Sequence, residues 1–128
     1  MADELLGYPI EEIPDADAVY MRTHRNNLRD GKIAPGIFKA HGGGMSVNWE
    51  RYCSPEVTRM QASDPSKNAV ISMIVGTIRT EVGLTVRHTP ILDNRAHADV
   101  ILPTVAPDLT QARLELKRIA KMILPLED

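Results

Sequence analysis

Between Asn68 and Gly76 the chain reads Ala69-Val-Ile-Ser-Met-Ile-Val75, apolar on both sides of a two-residue repeat. As a strand it would set Val70 and Ile74 on one face and Ile71, Met73 and Val75 on the other, with β-branched residues predominating. A strand of that kind needs cover on both faces, which places it in the interior of a sheet. A buried helix is the alternative reading, because periodicity alone does not separate the two for a short apolar run. Gly76 is read as a bulge, with the strand continuing through Ile78.

The remaining patterns supply neighbours for such a strand. Val19-Tyr-Met-Arg-Thr-His24 alternates so that Tyr20, Arg22 and His24 share one face. Met45–Trp49 reads as a short strand, Leu84–His88 as another with Leu84, Val86 and His88 on one side, and Ala98–Leu102 as a further one. Ser54-Pro55-Glu56 is a helix start, with a side-chain cap, proline in the first turn and an acid facing the positive helix end. That helix should run to about Ala62, before Asp64-Pro65. Asp108 is read as the cap of a last helix, with Leu109, Ala112, Leu116, Ile119, Ala120 and Ile123 on its apolar side and Arg113, Lys117 and Lys121 facing away. The expected fold class is α+β: a single compact domain over residues 18–128, a mixed or antiparallel sheet with about two helices packed on it. Residues 1–17, carrying six acidic side chains and two prolines, form an acidic N-terminal lead-in segment.

The formal net charge of −2 argues against a basic footprint that holds duplex nucleic acid by phosphate neutralisation alone. It leaves room for a local basic patch at Arg22, His24, Arg25, Arg29 and Lys32. One cysteine, Cys53, excludes an internal disulfide and suits a reducing, cytoplasmic setting. Nothing approaches the roughly 18 consecutive apolar residues of a membrane span, so no membrane is expected as a partner.

Chemistry-bearing residues gather where strands meet Gly- or Pro-marked loops. All four histidines lie at or near such points: Arg22-Thr-His24-Arg25, His41-Gly42-Gly43-Gly44, His88-Thr-Pro90 and Asn94-Arg95-Ala-His97-Ala-Asp99. Strand-end loops are where folds usually place recognition and catalysis. The His-Gly-Gly-Gly letters match a lipase-type oxyanion loop, but the Gly-x-Ser-x-Gly elbow that must accompany it is missing. An anion-binding nest built from the glycine amides is the stronger functional reading, against a plain flexible loop. Compact zinc spacings are lacking, so neither a metal nor another cofactor is assigned. The paired His-x-Ser/Thr pattern of two-histidine phosphoesterases is also lacking. Bland alternatives stand beside each site: His88 as a core histidine, Asp93 and Asn94 as local turn chemistry, and the last helix's cations as a solvated face.

Taken together, Arg22-Thr-His24, the Gly-rich passage from Phe38 to Asn48, Ser54-Pro55-Glu56 and His88-Thr-Pro90 through Asn94-Arg95-Ala-His97 resemble small bacterial proteins without an established activity. The resemblance covers residues 18 to 123; it implies a complete domain and assigns no catalytic residue. From the residues themselves, the leading expectation is a recognition domain for a phosphate-bearing ligand: a nucleotide, a nucleotide signal or nucleic acid. Its ligand-binding candidates are Arg22, His24, Arg25, His41, Gly42, Gly43, Gly44, Asn94, Arg95 and His97, with Trp49 or Tyr20 to stack on a base. A second expectation is a small hydrolase or transferase of toxin type, using His24 or His97 as acid or base and Asp99 to orient it. A third is a non-catalytic subunit that docks a protein partner through the N-terminal segment or the last helix.

Overall fold

The alternating segments form strands β1 Ala18–His24, β2 Met45–Trp49, β3 Asn68–Ile74, β4 Thr85–His88 and β5 His97–Ile101, joined by a sixth, β6 Lys121–Leu124. This computed structural model describes residues 7–41 and 44–127. Gly42, Gly43 and the first six residues of the acidic lead-in lie outside the described residues. The six strands make one antiparallel sheet in the order β4-β5-β2-β1-β3-β6. An α+β domain with an antiparallel sheet is therefore the observed class.

The two-residue period sorts side chains cleanly between the two faces. Val19 lies opposite Trp49 and Met73, Met21 opposite Ile71, and Val47 opposite Ala98. These residues, with Val86 and Val100, build the core together with Ile37 and Phe38. Helix α3 (Asp108–Ile119) adds Leu116, which is fully buried, to the same cluster. On the opposite face stand Arg22, Ser46, Asn48, His97 and Asp99. Helix α1 (Pro55–Met60) covers part of that face, against β1, β3 and β6. Its start follows from the sequence: Ser54 caps it by accepting the Val57 N–H at 3.1 Å. Under α1, Val70 is as buried as Ile71 on the other side, so β3 is covered on both faces as its composition requires.

Two elements differ from the sequence-based expectation. The chain does not bulge at Gly76 and continue as strand; Val75–Thr77 and Ile78–Val82 form a helical segment, α2, ended by Gly83 at φ +77°. The reason is the lead-in segment, which takes the space at the end of β3. Val75 N–H donates to the Asp17 carbonyl at 2.9 Å, and Gly76 N–H to the Asp15 carbonyl at 2.8 Å. The last helix also stops at Ile119, and Ile123 sits on β6 rather than on a helical face. The outer edge of β3 carries backbone donors and acceptors that need partners, and Lys121–Leu124 supplies them.

The described part of the lead-in is a strap bound to the core. Ile13 is 1% exposed, and its carbonyl accepts from Arg79 Nη1 at 2.7 Å. Asp17 Oδ2 accepts the buried indole N–H of Trp49 at 2.9 Å. Trp49 itself packs edge-on against Tyr52 and His88.

Candidate functional site

β1 and β2 are hydrogen-bonded neighbours at only two positions, Val19 with Trp49 and Tyr20 with Asn48. β1 nevertheless pairs with β3 along all of Ala18–His24, and β2 with β5 over Met45–Asn48. Each strand follows its outer partner, and the centre of the sheet opens into a fork. Glu50 N–H donates to the Ala18 carbonyl and Trp49 N–H to the Ala96 carbonyl, so even-numbered residues of β2 turn their backbone groups toward β1. Ser46 does so where β1 has already diverged.

The fork widens into a cleft of ≈ 600 Å³. Its walls bring together Arg22, His24, His41, Asn94 and His97, from three separate stretches of the sequence, and add Lys39. Among the described residues Asp93 is the one carboxylate on the lining. The Arg22 guanidinium donates to the Thr58 carbonyl at 3.3 Å and to Gln61 Oε1 at 3.2 Å, and burial presses its pKa below the ordinary arginine value. His24 Nδ1 accepts the Asn26 N–H at 3.1 Å, which turns the ring's other nitrogen outward from that turn. Thr23 is 4% exposed, lines the cleft, and its hydroxyl has no partner among the described residues.

Not every candidate belongs to this cleft. Arg25 is exposed and off the lining. Arg95 is absent from it as well: its guanidinium lies 4.2 Å over the Tyr52 ring and 3.7 Å from Glu11, where it clamps the strap. A short local sequence cannot show that side-chain direction. Gly44 is a close-approach position, since a Cβ there would fall 2.8 Å from the Asp99 side chain. Asn94 lines the cleft but is also structural, donating to Asn48 Oδ1 at 2.8 Å and accepting the Ala96 N–H at 3.1 Å. Trp49 is fully buried and cannot stack on a ligand, which leaves Tyr20 as the aromatic wall. His88 is a core histidine: Nδ1 accepts the Glu11 N–H at 2.9 Å and Nε2 meets the Arg95 carbonyl at 2.7 Å.

His97 is held differently. Nδ1 lies 2.9 Å from the Thr89 carbonyl and 3.0 Å from Thr89 Oγ1, and Thr89 Oγ1 donates to Asp99 Oδ2 at 3.0 Å. Nε2 faces Ser46 Oγ at 3.2 Å. Lys39, Ser46, Asn48 and Gln61 are the site residues that sequence reasoning missed. The alternation of Met45–Trp49 contains the signal for two of them, because it sets Ser46 and Asn48 on the polar face. Among the described residues no three His, Cys, Asp or Glu side chains are grouped to hold a metal ion. No described helix is long and apolar enough to cross a membrane.

A second cleft adjoins the first through Asn27 and Lys39, and carries Arg29, Lys32 and Lys117 against the single carboxylate of Asp30. Comparison with protein-family models, curated proteins and solved structures returned no match, so function has to be argued from the site.

Proposed function

We propose that this chain is a recognition domain whose forked sheet binds a phosphate-bearing ligand of the size of a nucleotide or a short single strand. The observation that carries the reading is the lining of the fork, where the cations Arg22 and Lys39 and the hydrogen-bonding rings of three histidines stand against one carboxylate, continued by Arg29, Lys32 and Lys117 alongside. Charge-assisted hydrogen bonds from such donors suit phosphate oxygens. The unpaired Thr23 hydroxyl and the backbone groups of Ser46 add neutral partners in the same space. A net charge of −2 makes the basic surface local, which favours a compact ligand over a long duplex.

Calorimetric titration with pyrophosphate, ADP and a short oligonucleotide at low salt tests this. Binding should weaken as salt is raised, and Lys39→Ala should weaken it by about tenfold or more, the loss of one hydrogen bond from a charged group. Absence of binding by all three at low salt would overturn the reading.

A further inference from the structure

The bonding around His97 fixes which of its nitrogens carries the proton. A backbone carbonyl only accepts, so the Thr89 carbonyl at 2.9 Å requires a proton on Nδ1. Thr89 Oγ1 gives its own proton to Asp99, and it too is left as an acceptor toward Nδ1. Nε2 therefore bears a lone pair, and the group it faces is the Ser46 hydroxyl at 3.2 Å, exposed on the wall of the cleft. A hydroxyl, an imidazole oriented through its far nitrogen, and a carboxylate beyond it are the parts of an activated serine. The order of the strands brings them together: β2 and β5 are neighbours, with Ser46 opposite Asp99 and Asn48 opposite His97.

We infer that Ser46 is a nucleophile, with His97 its general base, for hydrolysis of a carboxylic ester bearing an anionic group. The anionic part rests on the proposed phosphate-binding role of the cleft. In the first step Ser46 Oγ bonds to the acyl carbon while its proton passes to His97 Nε2. The ester C–O bond then breaks, the departing alkoxide takes that proton from His97, and acyl-Ser46 remains. A water, deprotonated by His97, attacks the acyl carbon; the Ser46 oxygen leaves and is reprotonated, and the free acid is released. The backbone N–H of Ser46, turned into the fork where β1 no longer pairs with it, is placed to meet the oxygen that becomes negative in both steps. Thr89 and Asp99 are positioning residues: they hold the Nδ1–H tautomer and favour the imidazolium as it forms.

An alkyl fluorophosphonate, which forms a P–O bond to an activated serine and expels fluoride, tests the pair directly. Mass spectrometry of the intact chain should find the adduct on Ser46 and none in Ser46→Ala. His97→Gln should slow labelling by about a hundredfold or more, and should remove the pH dependence that deprotonation of the imidazole gives the rate. Thr89→Val keeps the carbonyl but cuts the link to Asp99; it should slow labelling and displace the pH profile, which a merely structural role would not do. 4-Nitrophenyl hemisuccinate should be cleaved faster than neutral 4-nitrophenyl acetate, and Lys39→Ala should narrow that difference. No adduct at Ser46, or a His97→Gln variant labelled at the unaltered rate, would overturn the inference. Pyrophosphate titration of the unaltered chain, set beside its labelling, separates the two readings. Retained binding without labelling sinks the nucleophile alone, whereas labelling of a chain that binds no pyrophosphate sinks the anion-binding role and leaves the Ser46–His97 pair.

Discussion

Two histidines on neighbouring strands end in opposite circumstances. His88 has both ring nitrogens occupied by backbone groups and its ring against Trp49 and Tyr52. His97 has one nitrogen locked by Thr89 and the other turned to a hydroxyl on the cleft wall. The first is a structural connector between the strap, the loop after β4 and the core. Replacing it by alanine strands the Glu11 N–H and leaves space beside the indole, so His88→Ala should cost about 2–4 kcal/mol of stability, read as a lower denaturation midpoint. His97→Ala removes a partly exposed ring, and its midpoint should move by much less. Equal losses for the two variants would contradict this division of roles.

At the scale of elements, the strap of residues 7–17 is held by side chains rather than by a ladder. Tyr52 donates its hydroxyl to the Glu11 carboxylate, and Arg95 lies 3.7 Å from it. The Tyr52 hydrogen bond, foremost, with the nearby charges of Arg51 and Arg95, holds the Glu11 pKa below its ordinary value of 4.5. A depressed carboxylate contributes stability that is present above its unfolded value and is lost as pH falls through the folded one. Acidification below the ordinary carboxylate value of 4.5 should therefore loosen the strap. Hydrogen exchange at the Glu11 amide would register it as falling protection, and Glu11→Gln should flatten that response. The strap also explains α2, because the carbonyls of Asp15 and Asp17 occupy the end of β3 and turn the chain into a helix at Val75.

For the molecule as a whole, the distinctive property is a six-stranded sheet opened at its centre, between β2 and β1. A ligand seated there would join two halves of the sheet whose ladder spans only two residue pairs, with Glu50 bonded to Ala18 at its end. Since it binds only the folded chain, saturating pyrophosphate at a hundred times its Kd should add about 2.7 kcal/mol of stability. Thermal unfolding with and without pyrophosphate measures that shift, and an unchanged midpoint would be incompatible with binding in the fork. Ser46, His97, Lys39 and Arg22 all line that opening, so recognition and the proposed chemistry share one cleft.

Much of this was legible from local pattern. The Ala69–Ile74 run points to a strand covered on both faces, Ser54-Pro55 to a helix start, and the alternation of Val19–His24 to the shared face of Arg22 and His24. Such features depend on a side chain's own period or on groups a few residues away, and neighbours in sequence suffice to specify them. Tertiary structure alone decided that Lys121–Leu124 leaves the helix to cover the edge of β3, that Arg95 turns to Tyr52 instead of the cleft, and that β1 parts from β2. Each of those outcomes is settled by backbone groups and apolar surfaces far apart in sequence competing for the same partners, which no local pattern records.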